Sequence, residues 1–255
     1  MAMNAAEAQE MLDCAERCGK LLQIGFVRRF GEDADTVRRL VDEGIFGDIY
    51  YAKATYLRQN GCPGGWFGDK KFSGGGPLID LGVHVIDLTR YLAGCPKPIE
   101  AFGVTYNNLG PDRASVKEKA WTNEAAPGEH PYTVEDLCAA MVKFDNGLTL
   151  SVEASFNLNI EGDVGDVQLF GTKAGASLGS MNVLTTKDGG FTTFVPEGEH
   201  NFRFDIAFID EIKGFVAAAT GEKPCRAPAI DGVWLMKIID AIYKSAATGK
   251  SVPIE

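Results

Sequence analysis

The sequence lacks several features, and each absence excludes a class of protein. No apolar run approaches the roughly 20 residues that a membrane-spanning helix needs. Met1 to Lys20 shows no basic start followed by an apolar core, so we expect no secretory signal there. Positive charge is scarce, since 25 Lys and Arg stand against 35 Asp and Glu. The net charge of −10 argues against nucleic acid and anionic membranes as partners.

Cysteine is sparse and scattered, and internal repeats and low-complexity tracts are absent. A chain of 255 residues with 45% hydrophobic and 24% charged residues is typical of a soluble globular protein, as one large domain or two small ones. Such a chain needs no covalent cross-links, so we interpret the six cysteines as reduced thiols in the cytoplasm. Cys14 and Cys18 are one helical turn apart, but no nearby Cys or His completes a metal site, and we predict none there.

Hydrophobic periodicity predicts helices and strands in a particular order along the chain. Helices are predicted at about 5–19, 33–43, 80–93, 204–220 and 228–248, and strands at 49–57, 99–107, 133–144, 148–156, 163–170, 176–178, 183–186 and 191–194. Asp145-Asn146-Gly147 is a strong hairpin signal. Residues 110–131 form a long polar excursion. Hairpin-linked strands with helices before and after predict an α+β fold, with an open, mainly antiparallel sheet and helices on one face.

The other face of that sheet has two possible environments. The strands are rich in phenylalanine, namely Phe144, Phe156, Phe170, Phe191 and Phe194. A homo-oligomer formed through the sheet face explains these residues, and a buried intramolecular core explains them equally well.

The first 30 residues look like the end of another domain. A helix leads directly into the short apolar segment Leu21–Phe26, which is the order found in the last half of a β-α-β unit. No earlier strand is available to pair with it, so we expect that the chain begins partway through a larger α/β domain. The alternatives are that Leu21–Phe26 joins the downstream sheet as an edge strand or pairs with another subunit.

The most informative segment follows three glycines, Gly74 to Gly76. Asp80, His84 and Asp87 have the i, i+4, i+7 spacing of one helix face, beside an apolar row that leaves this face free. An imidazole between two carboxylates is a plausible proton-handling site. The alternative is an ordinary solvated face, with Asp80 capping the helix. The glycine run favours the functional interpretation, because it suggests close backbone approach to a ligand or another element.

These residues carry a family resemblance that extends over nearly the whole chain. Residues 74–92, Gly-Gly-Gly-Pro-Leu-Ile-Asp-Leu-Gly-Val-His-Val-Ile-Asp-Leu-Thr-Arg-Tyr-Leu, resemble the signature of the glucose–fructose oxidoreductase and inositol dehydrogenase (Gfo/Idh/MocA) family. Further segments that resemble the family are 23–30, 134–136, 144–147, 170–175 and 240–246. The resemblance implies a Rossmann domain that binds NAD or NADP, followed by a C-terminal α/β domain. It also implies hydride transfer between the nicotinamide and a C–OH group of a sugar or polyol.

The resemblance also implies roles for individual residues. His84 matches the proton acceptor or donor at the reacting hydroxyl, and Asp80 is its acidic partner. Asp87 matches a carboxylate that contacts substrate. Arg58 and Asn60 occupy the part of the family's first sheet strand that delivers substrate contacts. A further residue, Arg28, falls in the crossover that passes near the nicotinamide.

One departure from the family is large. The Gly-x-Gly-x-x-Gly fingerprint and the Glu-Lys-Pro lysine of the family are not in this chain, and no glycine-rich turn follows a strand and opens a helix. We therefore expect residues 1–30 to be a remnant of the Rossmann domain and 31–255 to be the substrate-binding and oligomerisation domain. Stable binding of NAD or NADP is expected only in a longer parent protein.

Two other functions stay open at this point. A non-catalytic sugar-binding or oligomerisation module would keep the sheet and lack the cofactor fold. A metal-dependent hydrolase or isomerase would use His84, Asp80 and Asp87, with His130 or His200 as a further ligand. The positions of these last two histidines are more typical of surface residues.

Overall fold

The computed structural model describes residues 1–113, 130–198 and 200–255. Within them, nine strands form one open sheet in the order β8-β7-β6-β5-β1-β4-β3-β2-β9. Neighbouring strands are antiparallel except for β1 and β4, which are parallel. The strands are β1 Ile49–Leu57, β2 Pro98–Tyr106, β3 Leu137–Phe144, β4 Thr149–Ser155, β5 Val164–Gly171, β6 Ala174–Ser177, β7 Val183–Lys187, β8 Gly190–Phe194 and β9 Val252–Pro253. The predicted α+β class with a mainly antiparallel sheet is confirmed.

Helices lie before, between and after the strands. The helices are α1 Ala5–Arg17, α2 Glu32–Asp42, the single turn α3 Lys70–Ser73, α4 Val83–Leu92, the single turn α5 Gly110–Arg113, α6 Phe204–Ala219 and α7 Ala229–Thr248. Short 3₁₀ helices cover Val27–Phe30 and Gly65–Gly68, and a π-helical turn, Leu78–Gly82, precedes α4. The sequence sets the start of α1, because the Asn4 side chain caps the helix and accepts a hydrogen bond from the Glu7 amide at 2.9 Å.

Small residues on the strands let the helices approach one face of the sheet. Ala52 and Ala54 of β1 are completely buried where α4 packs on β1. On β2, Gly103 leaves room for Ile242 of α7, and its amide donates to the Ser245 hydroxyl at 3.0 Å. The main hydrophobic core therefore lies between the sheet and the layer that contains α4 and α7.

The phenylalanines predicted for the strands divide between two environments. Phe144 and Phe156 are buried, whereas Phe191 and Phe194 are exposed. Phe170 stacks on Tyr51 with ring centroids 5.5 Å apart. The intramolecular core therefore accounts for only some of these rings.

Segment 21–26 differs from its prediction as a strand. It forms a single antiparallel bridge, between Gln23 and Pro228, with the Ile24 amide donating to the Ala227 carbonyl at 2.9 Å. A buried parallel strand is stabilised by neighbours on both sides, and this segment makes no ladder with the described strands. The boundary at residue 30 stays a prediction; α1 packs against α7, and Ala8 belongs to the main core.

Two further observations bear on the sequence predictions. Most of the excursion predicted at 110–131 lies outside the described residues. The six cysteines all lie within them, and none forms a disulfide. Among the described helices, none combines the length and the apolar composition needed to cross a membrane.

Candidate active site

The π-helical turn and the start of α4 carry the two residues predicted to act in catalysis. Asp80 lies within the π turn, and His84 lies in the first turn of α4. A buried carboxylate, Glu135, accepts hydrogen bonds from the Gly76 amide at 3.0 Å and the Leu78 amide at 3.2 Å. These amides point out of the helix start and have no partner within the helix. Glu135 therefore fixes the position from which Asp80 and His84 project.

The glycine run fits this arrangement for steric reasons. A side chain at Gly75 would collide with the Tyr243 hydroxyl, and one at Gly76 would collide with the Glu135 carbonyl oxygen. The Tyr243 hydroxyl itself donates to Glu135 at 2.8 Å. The close backbone approach expected from the glycines is thus an approach to another part of the protein.

α4 is buried on almost every side, which corrects the prediction of a free face. Residues 85–90 are all buried, and His84 is the exposed residue of this helix. A helix that is surrounded in this way forms part of the core and presents no polar face to solvent.

Asp87 does not join His84, contrary to the expectation of an imidazole between two carboxylates. It is 3% exposed, and its two oxygens accept from Arg29 at 2.6 and 2.9 Å. Arg29 also contacts Asp231 at 2.8 Å, and Arg90 contacts the same carboxylate at 2.7 Å. Residues three positions apart on a helix differ by about 60° in direction, so Asp87 points into this buried ionic network.

His84 lines an open cleft of about 470 Å³ together with Arg28 and Arg58. The cleft lies between the start of α4, the strand β1 and the segments around residues 163–167 and 200–204. The structure therefore brings three of the predicted site residues to one cavity. We define this cavity as the His84 cleft.

Asn60 lies outside the His84 cleft. It is 8% exposed, pairs with Asn157 in an isolated bridge and lines a smaller pocket with Cys62 and Tyr132. The structure thus separates Asn60 from His84, Arg28 and Arg58.

The electrostatic environment favours neutral forms of Asp80 and His84. Burial raises the pKa of Asp80 to about 6. The surrounding protein partly desolvates the His84 ring, although the residue is exposed to the cleft, and this desolvation lowers its pKa; the positive charge of Arg28 lowers it further. Neither side chain forms a hydrogen bond or ion pair with the described residues. Groups with shifted pKa values and unpartnered polar atoms are typical of a site that transfers protons.

A second cavity, of about 360 Å³, also has His84 in its lining. It is lined mainly by apolar side chains, including those of Ile24, Phe26, Ile79 and Met236. His84 therefore lines both a polar cleft and an apolar groove.

Sequence reasoning missed several residues of the site. Asp163 and Phe202 line the cleft from loops whose position no local pattern indicates, and His200, predicted to be a surface residue, lines it too. Glu135 fell within the predicted strand 133–144 and the family-like segment 134–136, but neither signal indicated its contact with the glycine run. These contacts join residues far apart in sequence, which single-sequence periodicity does not report.

The metal-dependent alternative finds no support in the described part of the chain. No group of three His, Cys, Asp or Glu side chains there is placed to hold a metal ion. His130 lies in the smaller pocket, 3.3 Å from Asp69.

Comparison with known proteins agrees with this fold. The profile of the GFO/IDH/MocA C-terminal domain matches residues 34–177. D-glucoside 3-dehydrogenase of Escherichia coli is 32% identical over 255 residues, covering 99% of this chain and 70% of that protein. The NAD⁺-dependent scyllo-inositol 2-dehydrogenase of Bacillus subtilis is 24% identical, covering 100% of this chain and 69% of that protein. The chain belongs to the Gfo/Idh/MocA family of oxidoreductases.

A solved structure shares the fold. A levoglucosan dehydrogenase in complex with NADH and levoglucosan superimposes with a TM-score of 0.78, at 24% identity, over 99% of this chain and 71% of that one. At this identity the likeness concerns the fold. The predicted family membership is confirmed.

Proposed function

We propose that this chain forms the substrate side of an oxidoreductase site that moves a hydride between a sugar or polyol C–OH group and NAD or NADP. The observation that carries the proposal is the position of His84, whose imidazole faces a polar cleft from a helix that is otherwise buried. The names of the relatives, which act on a glucoside and an inositol, support a polyhydroxylated small molecule as substrate.

In this proposal, His84 accepts the hydroxyl proton as the C–OH group is oxidised and returns it in the reverse reaction. Its lowered pKa keeps the imidazole neutral and able to accept a proton at neutral pH. Asp80, one helical turn earlier, holds or releases a second proton near pH 6. The Arg58 guanidinium donates hydrogen bonds to the other hydroxyls and orients the ring. Arg28, which the family resemblance places near the nicotinamide, lines the same cleft, and in this proposal it also donates to substrate hydroxyls. We leave Asp87 and Asn60 out of the proposed substrate contacts, because both lie away from the His84 cleft.

The nicotinamide, when held beside His84, supplies the hydride acceptor. The apolar groove that shares His84 with the cleft suits a flat ring, but the sequence contains no glycine-rich turn for a pyrophosphate. The residues present therefore do not form a complete dinucleotide site. We propose residues 1–30 as the end of a cofactor domain and 31–255 as the substrate domain, and expect no tight NAD(P) binding by these 255 residues.

A second candidate is a non-catalytic sugar-binding or oligomerisation module. It is favoured by one observation, the presence of the cleft without a dinucleotide-binding turn. Calorimetry with NAD and with NADP on a longer polypeptide that includes a Rossmann domain separates the two functions. Absence of binding there would favour the module.

We also propose that copies of the chain associate through the open face of the sheet. Phe102 on β2 and Met141 on β3 are cross-strand neighbours and are 45% and 46% exposed. Paired apolar side chains in the middle of a sheet face favour contact with another protein surface. With six free cysteines, we keep the cytoplasm as the expected compartment.

Turnover tests the main proposal. The chain is produced with an in-frame dinucleotide-binding domain ahead of it, and reduction of NAD and NADP is followed with a panel of sugars and polyols. His84→Asn should lower kcat by about a hundredfold or more, as loss of a general base does. His130→Asn, outside the cleft, is the matched control. Unchanged turnover in His84→Asn would contradict the proposed role.

A further inference from the structure

The two arginines of the His84 cleft are held in the same way. Arg28 donates to Asp33 at 2.7 Å, and its guanidinium lies 3.7 Å from the centre of the Phe202 ring. Arg58 donates to Asp163 at 2.7 Å, and its guanidinium lies 4.9 Å from the centre of the Tyr56 ring. Each positive charge is therefore fixed by an aromatic ring and compensated by one carboxylate.

Backbone amides fix the two carboxylates in turn. The second oxygen of Asp33 accepts from the Ala34 amide at 2.8 Å, and that of Asp163 accepts from the Gln59 amide at 2.8 Å. Burial raises the pKa of Asp163, but the hydrogen bonds from Arg58 and Gln59 outweigh it and hold the pKa below its ordinary value. Asp163 is therefore ionised at neutral pH and stays beside Arg58.

A third carboxylate makes the charge of the cleft negative. Asp166 accepts from the Ser177 hydroxyl at 2.7 Å and the Gly179 amide at 2.8 Å and has no cationic partner among the described residues. Arg28 and Arg58 are the cationic side chains among the described residues that line the cleft, whereas Asp33, Asp163 and Asp166 line it as carboxylates. An incoming phosphate would find no uncompensated positive charge there.

His200 adds an acceptor suited to a neutral hydroxyl. Its Nε2 lies 2.6 Å from the Pro196 carbonyl oxygen, so this nitrogen carries the proton and donates it. Its Nδ1 is buried and has no hydrogen-bond partner in the described structure. A hydroxyl group that donates to Nδ1 would satisfy this atom.

We propose that Asp33 and Asp163 make the His84 cleft selective for uncharged polyhydroxylated substrates and exclude their phosphorylated counterparts. This inference rests on the proposed function, since it concerns the substrate of the same site. The remaining N–H groups of Arg28 and Arg58 donate to neutral hydroxyls, while the paired carboxylates repel a phosphate group. Selectivity thus comes from a repulsive element as well as from attraction.

Ligand titrations followed by NMR on the full chain test the inference. The chain has three histidines; His84 and His200 line the cleft, and His130 serves as an internal control. Glucose should shift the imidazole signals of the two cleft histidines, and glucose 6-phosphate should bind about tenfold more weakly or worse. Asp163→Asn releases Arg58 and should shift the preference toward glucose 6-phosphate, measured as the ratio of its affinity to that of glucose, by about tenfold.

Asp33→Asn, which releases Arg28, is the second variant. Asp42→Asn is the matched control, because it breaks an Arg–Asp pair of 2.8 Å with Arg38 outside the cleft and should change neither affinity. The gain in glucose 6-phosphate affinity in Asp163→Asn should shrink at about 0.5 M salt, because salt screens the attraction between Arg58 and the phosphate group. If wild type binds glucose 6-phosphate as tightly as glucose, or neither cleft variant changes the preference, the inference alone fails. If no cleft histidine responds to glucose, the proposed function fails with it.

Discussion

At the residue scale, the site depends on two titratable groups whose environments shift their pKa values in opposite directions. Burial raises the pKa of Asp80 to about 6, while burial and Arg28 lower that of His84. An ordinary aspartate titrates near 3.8 and an ordinary histidine near 6.5. The structure therefore raises the pKa of a carboxyl and lowers the pKa of an imidazole on consecutive turns of one helix.

Removal of the Arg28 charge should raise the pKa of His84. A nearby positive charge disfavours the imidazolium, so Arg28→Gln lifts this penalty and leaves only the effect of burial. An NMR pH titration of the three imidazoles measures the change, with His130 as internal control. A His84 pKa that is equal in wild type and Arg28→Gln would show that Arg28 does not act on it.

Asp80→Asn should stabilise the protein at neutral pH and have almost no effect at acid pH. The folded-state pKa of about 6 lies above the ordinary value of 3.8, so ionised Asp80 costs stability above pH 6 and nothing below pH 3.8. The neutral amide avoids that cost, and we expect about 1–3 kcal/mol of added stability at pH 7. Urea unfolding of both proteins at pH 7 and near pH 4 measures the difference. An equal effect at both pH values would contradict the assignment to ionisation.

The sequence carried part of this residue-scale information. The spacing of Asp80 and His84 and the neighbouring glycines led us to predict a proton-handling pair, and that role stays a prediction. Asp87 had the same spacing but points to Arg29, because a buried ion pair between distant segments decides its direction. Such long-range pairing is invisible in a local pattern.

At the element scale, the segment Val27–Phe30 is held against α4 and α7 by charge. Arg29, on this segment, joins Asp87 of α4 to Asp231 of α7, and each of the three residues is at most 7% exposed. The preceding residue, Arg28, lines the cleft together with His84. The ionic network therefore determines how Arg28 is placed relative to α4.

Asp87→Ala should destabilise the protein strongly. It leaves the Arg29 guanidinium buried and without its bidentate partner, which costs about 3–5 kcal/mol in comparable cases. Asp42→Ala removes an exposed pair with Arg38 and should cost about 1 kcal/mol or less. Chemical denaturation measures both variants. Similar losses for the two would mean that the buried network does not stabilise the fold.

Most elements were predictable to within a few residues, because each has a local signal. Strand β1 at Ile49–Leu57 has the predicted bounds, and α1 begins at Ala5, as predicted, directly after the Asn4 cap. Two exceptions have tertiary causes. Segment 21–26 lacks the neighbouring strands that its apolar composition anticipates, and the π turn Leu78–Gly82 interrupts an otherwise regular helical pattern. No periodicity distinguishes a π turn from an α turn of similar composition.

At the scale of the whole molecule, the sheet has one covered face and one open face. The helix layer buries the first face, and exposed apolar side chains such as Phe102 and Met141 lie on the second. The sequence could not decide between an oligomer and an internal core, because phenylalanine suits both. Some of these phenylalanines are buried and others are exposed, so the internal core accounts for only part of them. The oligomer stays a proposal.

Phe102→Glu should dissociate an oligomer formed through the open face. A charge in the middle of that contact would be desolvated without a partner. Sedimentation or light scattering reports the mass in solution, and Phe72→Glu, at a 52% exposed residue of α3, is the control. A monomeric wild type would contradict the proposal, as would a Phe102→Glu oligomer of unchanged mass.

The most direct test of the whole account is the pH dependence of kcat/KM in the polypeptide that carries a dinucleotide-binding domain. If His84 accepts the hydroxyl proton, activity falls on the acid side with the pKa of His84. Arg28→Gln should then move the acid limb of the kcat/KM profile to higher pH, by the same amount as the change in the His84 pKa measured by NMR. The pKa of Asp80 should stay the same, because only burial shifts it. An acid limb that stays in place while the His84 pKa moves would contradict the account.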